Sequence, residues 1–296
     1  MSTVVVGLSP GERGDAAVHL ASLVARSLHA SLVVAAITPE PWPPSPILGD
    51  EKYLQLQRQS AEEALAAARE IIDSGQVDAE YVVETARSVT DGLLQVSERH
   101  RTGLVVLGSG TSGRPGRVSV GSVAQRLLHS LDAPICIAPA GFSVPADARL
   151  SRVTVGFGRA DRDSGLLTAA VQRAADFGIP LRVACFAVRP SIAARGTIES
   201  SADDLVVGEW AEQVRAEIRY AAGLAGADAD SLEIVVGSGL GWEQAISALS
   251  WTPTDLLAVG AKTSTISRFL LGSHAAKIVK HSPVPVLTVA RESLPT

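Results

Sequence analysis

A glycine- and serine-rich segment is the part of this 296-residue chain whose residue types best suit phosphate binding. It follows the apolar run Leu104–Leu107 and reads GSGTSGRPGRVSVGS from Gly108 to Ser122. Small residues let backbone N–H groups face a phosphate, and the helix expected to begin near Gly121 presents its positive N-terminus. The segment lacks the Gly-Lys-Ser/Thr ending of a Walker loop, and it follows a later strand than a dinucleotide fingerprint does. It therefore predicts an anion site of another kind.

The remaining polar residues indicate binding rather than catalysis. Arg114 and Arg117 either contact a phosphate or are solvated, and we favour solvation because exposed loop arginines usually are. The six histidines lack metal-ligand spacing, and we interpret His129 and His281 as helix-surface residues. The sequence shows no Gly-x-Ser-x-Gly elbow and no evident Cys–His pair. We therefore expect no catalytic residue and no required metal.

The elements that position this segment occur twice along the chain. Gly7 and Gly156 each end a short apolar run and are 149 residues apart, and Gly92 and Gly241 have the same separation. Matching positions later in the two repeats keep this pairing, with a small change in their separation along the chain. Such a register over several landmarks indicates a duplication, with one repeat in each half of the chain.

Within each repeat, apolar runs alternate with stretches of helical periodicity. The runs of the first repeat are Val4–Val6, Leu32–Ile37, Tyr81–Val83, Leu104–Leu107 and Ile135–Ala138. Continuous apolar runs are typical of parallel strands that are buried on both faces. The alternation predicts an α/β fold with two flavodoxin-like (Rossmann-like), doubly wound, five-stranded parallel sheets in tandem. We place the first domain at residues 1–140, a linker at 141–150 and the second domain at 151–296.

Composition excludes several classes of partner. The formal net charge is −5 at pH 7, which argues against a nucleic-acid-coating protein because such proteins need an excess of Lys and Arg. No apolar stretch approaches the roughly 20 residues of a membrane helix, and no signal-peptide pattern is visible. The two cysteines, Cys136 and Cys185, lie inside apolar runs, as buried and reduced thiols do. We expect a cytoplasmic protein without nucleic-acid or membrane partners.

The glycine-rich segment and the elements around it resemble universal stress proteins. Nucleotide-binding members of that family show Gly, two residues, Gly, nine residues and then Gly-Ser or Gly-Thr. Here Gly108, the nine residues 112–120 and the Gly121-Ser122 pair keep that spacing. Thr111 replaces the second glycine, although Gly110 is adjacent. The resemblance covers both repeats nearly end to end.

Two departures from the family pattern predict weak binding. Family members that bind ATP usually have Gly-x-Asp after the first strand, whereas this chain has Gly7-Leu8-Ser9 and Gly156-Phe157-Gly158. The second repeat also lacks the middle glycine between Gly260 and Gly272, and that stretch is one residue shorter. A β-branched Thr111 in a left-handed conformation would cost about 1–2 kcal/mol. We therefore expect at most one usable site, in the first repeat.

The resemblance implies that ATP, or another adenine nucleotide, lies between the first and fourth strands of the first repeat. It assigns the phosphates to Gly108, Ser109, Thr111, Gly121 and Ser122. It places Ser9 and Pro10 beside the base or ribose, with Ile37 packing on the adenine. The alternatives are a nucleotide-free stress-response scaffold that acts through protein contacts, and slow ATP hydrolysis, for which the sequence offers no residue that would activate water.

The resemblance also implies the strand order 3-2-1-4-5 in each domain, which leaves the fifth strand as an edge with unpaired backbone groups. Single-domain relatives commonly pair that edge across a two-fold dimer. We predict that Ile135–Ala138 and Val286–Val289 pair with each other inside one chain and form a pseudo-dimer. A further homodimer is compatible with this arrangement.

Overall fold

The computed structural model describes residues 3–40, 50–75, 77–158, 165–188, 200–228, 232–262 and 270–291. The strands are β1 (Thr3–Leu8), β2 (Ser31–Pro39), β3 (Ala79–Ala86), β4 (Leu104–Leu107), β5 (Ile135–Ile137), β6 (Arg152–Gly156), β7 (Leu181–Val188), β8 (Glu233–Gly239), β9 (Asp255–Lys262), β10 (Leu270–Leu271) and β11 (Val286–Arg291). The helices are α1 (Glu12–Leu28), α2 (Asp50–Asp73), α3 (Val89–Arg99), α4 (Ser122–Ser130), α5 (Leu166–Phe177), α6 (Ser200–Leu224), α7 (Trp242–Ser247) and α8 (Ser273–His281). The predicted α/β class is confirmed.

All of these strands belong to one sheet. Ten of them follow one another in the order β3-β2-β1-β4-β5-β11-β9-β6-β7-β8, and β10 pairs with β9 beside this path. Neighbours on the path are parallel except β5 and β11, which are antiparallel. The prediction of two separate sheets is therefore wrong. The physical reason is that the backbone groups on the edges of β5 and β11 pair with each other and join the two repeats.

The junction between the repeats is short and is extended by one side chain. Val286 lies opposite Ile137, and Leu287 lies opposite Cys136. At the next position the buried Thr288 hydroxyl accepts a hydrogen bond from the Ile135 N–H at 3.0 Å. The same hydroxyl donates to the Ile135 carbonyl at 3.2 Å. The pairing expected between the two fifth strands is thus present within the chain.

Helices cover both faces of the sheet, because packing against the sheet buries their apolar sides. Leu20 and Leu23 of α1 pack with Ile72 of α2 in the core on one face. Leu93 of α3 and Leu127 of α4 belong to the core on the other face. This doubly wound layering brings the loops after β1 and β4 to the same edge of the sheet, where ligands bind in such folds. Among the described residues, no helix has the length and apolarity to cross a membrane.

Residues 141–150, predicted as the linker, pack against the first repeat. The Arg26 guanidinium donates to the Ala148 carbonyl at 2.6 Å. The Leu150 N–H donates to the buried Ser27 hydroxyl at 2.9 Å. These bonds attach the segment to α1, so it is a structured connection between the repeats.

Candidate functional site

The carboxyl ends of β1 and β4 enclose a cavity of about 200 Å³, called here the first-repeat cavity. Six of the eight residues that the resemblance assigned line it: Ser9, Gly108, Ser109, Thr111, Gly121 and Ser122. Pro10 and Ile37 are not among its described lining residues. Pro10 is exposed in the loop after β1, and Ile37 packs closely against Gly92 of α3. The glycine pattern therefore converges on one place together with Ser9, whereas Pro10 and Ile37, the other two residues expected at the base or ribose, do not.

Glycines are required where the loop after β4 passes close to its neighbours. A Cβ atom on Gly110 would lie 2.8 Å from the Gly121 Cα, and the Gly110 N–H donates to the Ser119 carbonyl at 2.9 Å. Gly108 packs directly against the Arg13 carbonyl, with no room for a side chain. Gly121 is the N-cap of α4 and makes no side-chain capping bond. The free N–H groups of the first turn of α4 are therefore available to an anion.

Thr111 does not adopt the strained backbone that the sequence led us to expect. Among the described residues, the only non-glycine residues with positive φ are His29 and Arg101. The loop instead turns back through the contact between Gly110 and Gly121. The expected cost of a left-handed Thr111 is therefore absent, and this replacement does not by itself weaken the site.

Ser109 has a structural role that the sequence pattern did not indicate. Its side chain is buried, and the hydroxyl donates to the Ala138 carbonyl at 2.7 Å. It also accepts a hydrogen bond from the Ser119 N–H at 3.0 Å. A hydroxyl has one hydrogen to donate, and here that hydrogen is used inside the protein. The side chain therefore holds the loop to the end of β5 and does not donate to a phosphate.

Ser109→Ala is expected to lower the free energy of unfolding by about 1–3 kcal/mol, because a buried carbonyl and a partly buried N–H lose their partner. Denaturant titration measures this change. Ser112→Ala is the matched control, since Ser112 is exposed and its hydroxyl contacts only the Ser119 hydroxyl, at 3.3 Å. Equal effects in the two variants would contradict the structural role of Ser109.

Arg114 and Arg117 lie at a second, larger cavity instead of the first-repeat cavity. This inter-repeat cavity has a volume of about 550 Å³ and is lined by residues of both repeats, including α4 and α8. Each arginine has a guanidinium nitrogen 3.8 Å from a carboxylate oxygen of Glu243, on α7 of the second repeat. Their position beside Glu243 gives no support to the possibility that these arginines contact phosphates of a nucleotide beside Gly108, which the sequence ranked second to solvation.

The corresponding edge of the second repeat has a cavity of about 290 Å³ with different chemistry. Phe157, Phe186 and Trp242 are among its lining residues, together with His274. The ring centroids of Phe186 and Trp242 are 6.3 Å apart, and those of Trp242 and His274 are 5.6 Å apart. Residues 263–269 lie outside the described part of the chain. Such an aromatic lining suits flat apolar groups rather than phosphates.

A buried cluster of charges lies at the opposite edge, at the amino ends of β6, β7 and β9. Asp255 is only 1% exposed and accepts a hydrogen bond from Arg152 at 2.8 Å. The guanidinium of the buried Arg182 lies 3.6 Å from the same carboxylate. Burial alone would raise the pKa of Asp255, but hydrogen bonds from Arg152, Thr252 and Ser151 outweigh it and hold the pKa below its ordinary value. Its position and pairing indicate a role in stability.

Among the described residues, no group of three or more His, Cys, Asp or Glu has a geometry that would hold a metal ion.

Comparisons with known proteins agree with this architecture. The model of the universal stress protein family matches residues 1–139 and 150–290. Universal stress proteins of Mycobacterium tuberculosis and Mycobacterium bovis are each 36% identical to this chain over 293 residues, covering 97% of the chain and 99% of each relative. The crystal structure of a universal stress protein from Archaeoglobus fulgidus covers 98% of both chains, with a TM-score of 0.62 at 17% identity. A functionally unknown protein from Pseudomonas aeruginosa covers 98% of this chain and 93% of its own, with a TM-score of 0.55 at 13% identity. The chain therefore belongs to the universal stress protein family and carries two copies of the family's domain.

Proposed function

We propose that this chain is a universal-stress-type regulatory protein whose first repeat binds ATP, or another adenine nucleotide, weakly. The observation that carries the proposal is the convergence of Gly108, Gly121 and Ser122 at one cavity beside the N-terminus of α4. Backbone N–H groups and the helix dipole stabilise a phosphate at such a place. The cavity, at about 200 Å³, is smaller than the about 300–1,000 Å³ of typical ligand pockets. We therefore assign the phosphates to it and place the base and ribose outside it, towards Ser9 and Pro10.

Two features make weak binding the expectation. Ser9 has no carboxylate to seat the nucleotide, and the Ser109 hydroxyl is already used inside the protein. Each missing polar contact costs about 0.5–3 kcal/mol, which moves a micromolar site towards high micromolar or millimolar dissociation constants. Occupancy would then follow the ATP concentration of the cell, as suits a regulatory protein.

Ser122→Ala is expected to weaken ATP binding by about 3-fold to 100-fold, because one polar contact to a phosphate is lost. Isothermal titration calorimetry with ATP measures the change. Ser273→Ala is the matched control, since Ser273 begins α8 in the second repeat as Ser122 begins α4 in the first. We expect this control to bind ATP like the unmodified protein. Equal weakening by both substitutions would overturn the assignment of the site to the first repeat.

The alternative is a nucleotide-free scaffold, and one observation favours it. Arg13 packs its carbonyl against Gly108, which brings a hydrogen-bond acceptor to the edge of the proposed phosphate site. Purified protein that releases no nucleotide in mass spectrometry, and whose melting temperature is unchanged by millimolar ATP, would establish this alternative. Phosphate release that disappears in Ser122→Ala would instead support slow ATP hydrolysis, although we expect no turnover.

A further inference from the structure

The inter-repeat cavity has the size and lining of a small-molecule site. Its volume of about 550 Å³ falls within the range of about 300–1,000 Å³ that is common for ligand pockets. Part of its lining is apolar and belongs to the core: Val118 and Leu128 of the first repeat and Val279 of the second. Because both repeats contribute, the cavity exists only where the pairing of β5 with β11 joins them.

The polar part of this cavity is predominantly cationic. Arg114 and Arg117 of the first repeat and Lys280 of the second line it, together with His129 and His281. Glu243 is the one carboxylate among the described lining residues. The described lining therefore has three permanently positive side chains and one carboxylate. The excess positive charge is contributed by both repeats.

Ordinary structural roles explain only some of these cations. Lys280 and His281 lie in the last turn of α8, where a cation stabilises the negative end of the helix dipole. Arg114 and Arg117 lie in a loop, so no helix dipole accounts for them. Their nitrogen–oxygen distances of 3.8 Å to Glu243 are too long for hydrogen bonds. Arg117 also makes one long hydrogen bond, at 3.4 Å, to the Gly116 carbonyl. Because a guanidinium has five N–H donors, both arginines still have donors for another anion.

The electrostatic state of His281 reflects the positive field in this cavity. Burial is the largest cause that lowers the pKa of His281. The Glu243 carboxylate opposes this effect, and the three cations of the cavity lower the pKa further. An anion bound among those cations would offset their effect and raise the pKa of His281, which provides a local readout of binding.

We propose that the inter-repeat cavity binds a small organic anion, with a phosphate or similar dianionic group at Arg114, Arg117 and Lys280 and an apolar body against the buried aliphatic lining. Planar guanidinium groups bind phosphate oxygens in a bidentate manner, and the lysine adds a point charge. This site is distinct from the first-repeat cavity and does not depend on nucleotide binding there. A ligand in it contacts both repeats at once.

The test uses the full chain and 1-naphthyl phosphate, which combines a dianion with an apolar ring system. We expect saturable binding by calorimetry, weakened at least about 10-fold in the double variant Arg114→Ala/Arg117→Ala, because the charge-assisted hydrogen bonds of both guanidinium groups are lost. Lys280→Ala is expected to weaken it in the same direction and tests the contribution of the second repeat. Arg173→Ala is the matched control, since it removes a positive charge from α5, outside the described lining of this cavity.

Further measurements test where the probe binds and whether its phosphate group is what the protein recognises. Ser122→Ala should leave the affinity for 1-naphthyl phosphate unchanged, and the His281 imidazole resonances should titrate at higher pH when the probe is bound. Neutral 1-naphthol should bind much more weakly than its phosphate. The proposal is overturned if the unmodified chain does not bind the phosphate at millimolar concentration, if the arginine variants keep full affinity, or if 1-naphthol binds equally well.

Discussion

Asp255→Asn is expected to lower the free energy of unfolding by about 3–5 kcal/mol, the cost of breaking a buried ion pair by removing one partner. The substitution keeps the size of the side chain but removes the counter-charge that Arg152 and the buried Arg182 share. Arg152 keeps its ion pair with Glu233 at 3.1 Å, so the uncompensated charge is mainly that of Arg182. Arg182 also donates to the Thr154 hydroxyl at 3.0 Å and to the Ser250 carbonyl at 2.9 Å, so it cannot move to water without breaking further bonds. Denaturant titration at neutral pH measures the loss.

The same carboxylate predicts a specific dependence of stability on pH. The pKa of Asp255 is held below its ordinary value in the folded chain, so its contribution is fully present above the unfolded pKa. It is lost as the pH falls through the lower, folded pKa. The difference between the unmodified chain and Asp255→Asn should therefore shrink in acid.

Asp176→Asn provides the matched control for this experiment. Asp176 pairs with Arg173 on the surface of α5 at 3.0 Å, and exposed pairs contribute about 0–1 kcal/mol. A loss in Asp255→Asn that is no larger than in Asp176→Asn would refute the stabilising role of the buried cluster.

Thr288→Val is expected to destabilise the chain by about 2 kcal/mol or more, since a buried group that loses its partner costs about 1–3 kcal/mol. The valine keeps the shape of the side chain but removes the hydroxyl that pairs with both the N–H and the carbonyl of Ile135. Only two residue pairs otherwise form the ladder between the fifth strands. A weaker junction should also expose strand edges and promote association between chains.

Thr288→Ser separates the hydrogen bonds from packing, because serine retains the hydroxyl and loses only the methyl group. We expect Thr288→Ser to be clearly more stable than Thr288→Val in thermal or chemical denaturation. Size-exclusion chromatography should show concentration-dependent association only for Thr288→Val. If serine destabilises the chain as much as valine does, the hydroxyl is not what extends the junction.

The fold was largely predictable because its signals are local and repeated. The apolar run before Gly7 recurs before Gly156, and such runs alternate with helical periodicity in both halves. The unpaired edge of the fifth strand also predicted that the two fifth strands pair with each other. The error lay in treating the repeats as separate sheets, although the pairing of β5 with β11 makes them one.

The candidate site was predictable in its backbone and not in its side chains. The glycine pattern of the family predicted that Gly108 and Gly121 line one cavity, and close backbone approach requires glycine there, as between Gly110 and Gly121. The role of Ser109 depends on Ala138, and the orientation of Arg117 depends on Glu243 in the other repeat. Such partners are set by tertiary packing, and no pattern around the residue itself reveals them.

The inter-repeat cavity was hidden from the sequence for the same reason. Its residues come from a loop and a helix of the first repeat and from β10 and two helices of the second. The only local signal was the pair of arginines, Arg114 and Arg117, in a loop rich in glycine. A search for charged residues near the predicted junction of the repeats would have been the way to find it.

A crystal structure of the full chain grown with saturating ATP tests nucleotide binding by the first repeat most directly. We expect density for the phosphates between Gly108 and the first turn of α4, within hydrogen-bonding distance of Gly121 and Ser122. Density for the nucleotide only in the second repeat, or an empty first-repeat cavity at saturating ATP, would contradict it.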